Sequence, residues 1–173
     1  MIKIPNPSMC LNAEGFDAQL MSYKMWNTRT VTRDVTPYWL AANIASVAAG
    51  APGKQLATLI FNCHGFVTPT GEFLGLDLGT SVYYEDLNHF SRLRPMVREI
   101  FMTVCGAARG KSGEAFCKRL AALTGAYVIA GEQDQTLPIS VAAKLPGGWI
   151  DDFEGKVYKF GPTGKPGPYK PGQ

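Results

Sequence analysis

The sequence lacks most of the features that would decide its class at a glance. No apolar run approaches the ~18 residues of a membrane span. The opening Met1-Ile2-Lys3-Ile4-Pro5 carries no apolar core of a secretory leader. The expectation is therefore a cytoplasmic chain with no membrane partner. Charge of one sign is scarce. Lys and Arg number 17, Asp and Glu 14, and the net charge is +3. That is too little to argue for nucleic acid, and two of the positive charges, Lys165 and Lys170, fall in the C-terminal tail. No C-x-x-C pair occurs among Cys10, Cys63, Cys105 and Cys117, which disfavours a zinc ribbon or a thioredoxin-like site. Internal repeats are missing, and so is an acidic loop dense enough for calcium. What remains is ordinary globular composition: 173 residues, 46% apolar and 18% charged. A chain of ~150 residues buries roughly 70% of its unfolded surface and needs no disulfide or metal staple. The four thiols are expected to be reduced. Each is then either core filling or a nucleophile.

Apolar patterning gives an alternating order of helices and strands. Thr36-Pro37 reads as a helix start, cap then first turn. Leu40, Ile44, Val47 and Ala48 follow at helical spacing, and Gly50 and Pro52 close the helix. Leu56–Phe61, Val97–Val104 and Ala126–Ala130 are near-continuous apolar runs, the signature of strands buried on both faces. Tyr84–Leu93 and Gly113–Thr124 read as helices, the second stopped by Gly125. Gly71–Gly79 reads as a small exposed strand or hairpin. Phe16–Trp26 suits a short helix and Thr28–Val35 a strand. Trp149-Ile150 and Lys156–Phe160 are expected to form a terminal hairpin. The order implies a three-layer α/β/α sandwich with a mostly parallel central sheet. Residues 1–35 are expected as an extension packed on the core, and 36–160 as the main domain. Residues 161–173, with eight Gly or Pro in thirteen, are expected as a mobile tail.

Two of the buried runs end in reactive residues. The first leads into His64-Gly65 and the second into Cys105-Gly106. The carboxyl ends of parallel strands share one sheet edge, where ligands bind. If the two strands are neighbours, His64 and Cys105 emerge side by side, as a thiol–imidazole pair requires. The N–H groups of Gly65 and Cys105 are then the candidate donors for a tetrahedral oxyanion.

"Apolar strand, His-Gly, about forty residues, apolar strand, Cys" resembles the caspase-like cysteine peptidases. That clan holds caspases, metacaspases, gingipains, separases and CHAT domains. Gly113-Glu114-Ala115-Phe116 and Leu120 through Ala130 are similar to the helix and strand that follow the cysteine in small bacterial CHAT-type domains. Phe73-Leu74-Gly75-Leu76 is similar to their short hairpin. The resemblance covers about residues 40–135. It implies a caspase-like fold, Cys105 as nucleophile, His64 as general base and acid, a protein or peptide substrate, and no cofactor. An activating partner or a larger parent protein would be in keeping with the clan. The chain departs from the caspase signature in reading Thr103-Val104-Cys105-Gly106-Ala107, and Thr103 stands where metacaspases carry an acidic residue.

Around this pair the residues leave alternatives open. Glu132 and Asp134 follow the third buried strand and are candidates to receive a Lys or Arg side chain of a substrate; solvated loop charges are the bland account. Arg109 and Lys111 are placed to favour a thiolate or to meet an acidic substrate instead. Cys63, next to His64, should face the opposite side of its strand as core packing, and Cys117 is read as structural. His89 is read as half of a surface pair with Glu85. Trp26, Tyr38 and Trp39 are read as core or groove lining. A metal site from Cys63, His64 and Cys105 fits poorly, since adjacent side chains diverge. The functional expectation is a cysteine endopeptidase. The alternatives are an inactive caspase-like binding module, or another thiol-dependent amide hydrolase or acyl transferase on the same pair.

Overall fold

The computed structural model describes residues 1–15, 22–135 and 145–170. Its elements run β1 (Ile2–Lys3), β2 (Ser8–Ala13), β3 (Asn27–Val31), α1 (Pro37–Gly50), β4 (Leu56–Asn62), β5 (His64–Val67), β6 (Phe73–Asp77), β7 (Val82–Tyr83), a 3-10 segment (Glu85–Leu93), β8 (Val97–Thr103), α2 (Gly110–Thr124), β9 (Tyr127–Gly131), β10 (Trp149–Ile150), β11 (Val157–Phe160) and β12 (Gly167–Pro168). Local chemistry sets the boundaries. Thr36 caps α1 by accepting the Trp39 N–H, and Pro37 fills the first turn, where no donor is needed. Gly125 ends α2 in the left-handed region at φ 73°, which a side chain would resist.

Seven strands form the main sheet in the order β12-β11-β9-β8-β4-β2-β3. Strands β3, β2, β4, β8 and β9 run parallel, and β11 and β12 continue the sheet antiparallel. The protein is thus α/β with a mostly parallel sheet, and the three apolar runs form three of its inner strands.

Alternation along each strand divides the core in two. Leu11, Phe61, Met102 and Ala130 share one face with α1, α2 and the 3-10 segment. Cys10, Ile60, Phe101 and Ile129 share the other. Each large aliphatic or aromatic side chain buried here contributes about 1.5–3 kcal/mol. Removing one such as Phe61 costs about 3–5 kcal/mol, because the sheet cannot collapse into the hole.

Several expectations are corrected. Residues 1–35 are not a mere extension, because β2 lies between β3 and β4 inside the sheet. Its six residues are all buried. Trp149-Ile150 does not pair with Lys156–Phe160. It pairs antiparallel with Ile2-Lys3, while β11 joins β9. That two-stranded ribbon closes the second face, with Tyr23 and Tyr169 packed beside it. Among the described residues both α-helices lie on the first face. The tail is tied down as far as it is described: β12 pairs with β11, and the Tyr169 N–H bonds to the Val157 carbonyl. Tyr169 supplies the apolar anchor that the Gly/Pro count concealed. The helix expected over Phe16–Trp26 falls largely outside the described residues. Tyr38 and Trp39 are not core; Trp39 is 62% exposed.

Candidate active site

The register of the sheet brings the two reactive strand ends level. β4 and β8 are parallel neighbours with Asn62 opposite Thr103. The ladder ends there, two residues before His64 on one strand and two before Cys105 on the other. Beyond Asn62 the chain leaves the main sheet. His64–Val67 forms β5, which pairs antiparallel with β6 to start a separate three-stranded sheet. That sheet stays against the cysteine. A Cβ on Gly65 would lie 2.6 Å from the Cys105 carbonyl oxygen, 2.9 Å from the Phe73 ring and 3.1 Å from Val104. Only glycine fits there, whatever chemistry the site performs.

The four cysteines separate sharply. Cys10, Cys63 and Cys117 are buried, and Cys105 alone is partly exposed. Desolvation pushes the three buried thiols well above the ordinary thiol range, with the Asp77 charge adding to the effect at Cys63. Cys63 sits in the core cluster on the helix-covered face. Cys117 hydrogen-bonds to the Ala107 carbonyl at 3.3 Å and so pins the turn that follows Cys105. Only Cys105 has the access that a nucleophile needs.

The sulfur of Cys105 faces the backbone of Gln135. The Gln135 N–H donates to Sγ at 3.3 Å, and the thiol lies 3.7 Å from the Gln135 carbonyl oxygen. The same segment is held to the turn after Cys105 by the Gly106 N–H to Gln133 and the Ala108 N–H to Gly131. The Gly106 N–H is thereby committed.

The charged residues proposed for substrate contact are engaged with one another. Arg109 Nη2 meets Asp134 Oδ1 at 2.7 Å, and its Nε donates to the Glu132 carbonyl at 3.0 Å. Glu132 accepts from the Tyr158 hydroxyl at 3.2 Å and has Lys156 Nζ at 3.9 Å. Arg109 of the basic candidates and Asp134 of the acidic ones are in this structure paired with each other. His89 sits elsewhere, its ring edge-on to Tyr38 on α1 at 5.9 Å.

Sequence reasoning missed a buried polar row beneath the pair. Asn12, Asn62 and Thr103 align across β2, β4 and β8. Asn62 Nδ2 donates to Asn12 Oδ1 at 2.7 Å, and Thr103 Oγ1 donates to Asn62 Oδ1 at 3.1 Å. Asn12 also exchanges hydrogen bonds with the Tyr23 backbone. The available signal was an asparagine at the end of β4 and one residue before the end of β2. Asp77, opposite His64 in the β5–β6 ladder, was also missed, since its position depends on hairpin register. No helix among the described residues is long and apolar enough to cross a membrane.

With fold and site described, the class is an α/β protein with a thiol and an imidazole-bearing hairpin at one sheet edge. No family model matches the chain, and no curated protein matches its sequence.

Proposed function

We propose that this chain is a cysteine endopeptidase of the caspase-like clan, acting through Cys105 and His64. One observation carries the reading. The single partly exposed thiol belongs to Cys105, two residues beyond the carboxyl end of β8, and the Cys105 carbonyl packs against Gly65, the residue after His64 where the chain leaves the neighbouring β4. Carboxyl ends of parallel strands are where open α/β sheets bind ligands.

In this mechanism His64 takes the Cys105 proton, and the sulfur attacks the scissile carbonyl. The oxyanion receives hydrogen bonds from the Gly65 and Cys105 N–H groups. His64 returns its proton to the leaving amine, and the C–N bond breaks to leave a thioester. Water, deprotonated by His64, then releases the acid and restores the thiol. Thiol, imidazole and backbone donors complete the cycle. The Arg109–Asp134 pair acts here to hold the segment beside the sulfur, and a substrate charge would have to compete with it.

A second reading is an inactive caspase-like binding module. It is favoured by the Gln135 peptide, which lies directly on the sulfur. A peptidyl acyloxymethyl ketone separates the two. The peptidase reading expects a thioether on Cys105, read by intact mass, that forms far more slowly in His64→Ala. Equal slow labelling of both proteins favours the module.

A further inference from the structure

We propose that Cys105 is a redox modification site, whose sulfenic acid closes onto the Gln135 backbone nitrogen as a sulfenamide. The chemistry needs only the thiol and the peptide beside it, so it goes beyond the peptidase reading and does not depend on it. Among the described residues, both hydrogen-bond partners of the Cys105 sulfur are backbone atoms of Gln135, the nitrogen at 3.3 Å and the carbonyl oxygen at 3.7 Å. The Gln135 N–H aims at the sulfur. A sulfenamide sulfur takes the place of that hydrogen, so the link forms with the amide still planar.

The surroundings single out this nitrogen. The adjacent amide, Gly106 N–H, is held by the Gln133 carbonyl at 3.0 Å. The other three thiols are buried, and all four cysteines are free. Gln135 itself is held by its side chain. Its Oε1 accepts from the Glu154 N–H at 3.1 Å, and its Nε2 donates to the Gln133 carbonyl at 3.0 Å. Arg109 grips the residues just before it, through the Glu132 carbonyl and the Asp134 carboxylate. The nitrogen is thus presented to the sulfur before any oxidation, and little entropy is lost in bringing the two together.

Hydrogen peroxide supplies the oxidising equivalents. The Cys105 sulfur attacks one peroxide oxygen, the O–O bond breaks, and the products are the sulfenic acid and water. Sulfur is oxidised by two electrons and the peroxide is reduced. The Gln135 nitrogen then bonds the sulfur as the S–O bond breaks, and the leaving hydroxide takes the amide proton as a second water. A small thiol reverses the link. Its sulfur attacks Cys105, and the nitrogen regains a proton. A second thiol then frees Cys105 from the mixed disulfide. While linked, the sulfur is closed to substrate and to the irreversible sulfinic and sulfonic acids.

The test treats the full chain with hydrogen peroxide, blocks the remaining free thiols, digests with trypsin and reads the peptides by mass spectrometry. Cys105 falls in the peptide 99–109 and Gln135 in 120–144, which holds no cysteine. The expected product is these two peptides joined, lighter than their sum by two hydrogen atoms and separated again by dithiothreitol. Fragmentation should place the link on the Gln135 nitrogen. Gln135→Pro has no N–H to give. Its Cys105 should pass on to the sulfinic and sulfonic acids, and dithiothreitol should recover far less free thiol than in the native chain. Where Gln135→Pro does not fold, the native digest decides by itself. Oxygen added at Cys105 without the joined peptides, a disulfide to Cys10, Cys63 or Cys117 in their place, or no oxidation of Cys105 overturns the proposal. So does an equal yield of the joined peptides in folded Gln135→Pro.

Discussion

Gly65 and Cys105 touch: a methyl group on Gly65 would lie 2.6 Å from the Cys105 carbonyl oxygen. This contact joins the histidine hairpin to the cysteine turn. Gly65→Ala should cost about 1–3 kcal/mol, the usual penalty for overpacking a closed site. Activity should fall further than stability, since the hairpin must move away from the sulfur. Chemical denaturation beside a rate measurement checks this. A variant with native stability and native rate would mean that the contact is dispensable.

Thiol chemistry should resolve one residue from the other three. Native protein should label at Cys105 within the time that leaves Cys10, Cys63 and Cys117 untouched, because those are buried with raised thiols. Denatured protein should label at all four. Mass spectrometry of alkylated peptides reads the difference directly, and comparable rates in the native state would remove the case for Cys105.

The buried thiols also predict an alkaline limit to stability. In the folded state Cys10, Cys63 and Cys117 hold protons that the unfolded chain releases above about pH 9. The unfolded state then binds fewer protons, so stability is intact below that pH and is lost as pH rises through it. Each thiol contributes a slope of up to about 1.4 kcal/mol per pH unit. Melting temperature should hold from pH 7 to 8 and fall steeply by pH 10. In Cys10→Ala the slope, compared apart from the loss of packing, should be shallower. An unchanged slope would contradict the assignment.

The row of Asn12, Asn62 and Thr103 predicts a measurable stability cost. Asn62→Ala removes a donor to Asn12 Oδ1 and an acceptor for Thr103 Oγ1. Asn12 Oδ1 keeps the Tyr23 N–H and Thr103 Oγ1 keeps the Phe61 carbonyl at 3.0 Å, so the loss should be that of ordinary hydrogen bonds, about 0.5–1.5 kcal/mol each. The double variant Asn12→Ala/Asn62→Ala should lose less than the sum of the single losses, because the partners share one network. Additive losses would show two independent sites.

Arg109 should matter through the chain that it holds. It bonds the Glu132 carbonyl and the Asp134 carboxylate, just before the Gln135 peptide that meets the sulfur. Arg109→Ala should speed protease nicking after Gly131. Asp134→Asn should have a smaller effect, since an exposed ion pair contributes about 0–1 kcal/mol. The reverse order would make the charge pair, and not the carbonyl bond, the anchor.

Much of this was legible where short-range chemistry decides. Thr36-Pro37, the αL stop at Gly125 and the three apolar runs each carry their structure in a few adjacent residues. The first two apolar runs are neighbouring parallel strands, as expected, with Asn62 opposite Thr103. Illegible features depended on partners distant in sequence. Ile2-Lys3 pairs with Trp149-Ile150, and nothing local to either segment names the other. β2 begins with Ser8 and carries Asn12, so its place inside the sheet, next to the edge strand β3, follows only from its neighbours. Glu132, Asp134 and Arg109 looked like rival pockets because sequence does not report that Arg109 reaches back to Asp134.

The central claim is that Cys105 and His64 together cleave peptide bonds. The most direct test is digestion of a diverse peptide library by the purified chain, beside Cys105→Ala and His64→Ala, read by mass spectrometry. The account predicts cuts that share a side-chain preference on the acyl side of the bond and that vanish in both variants, with melting temperatures little changed. The same cuts in all three proteins, or none in any, would contradict it.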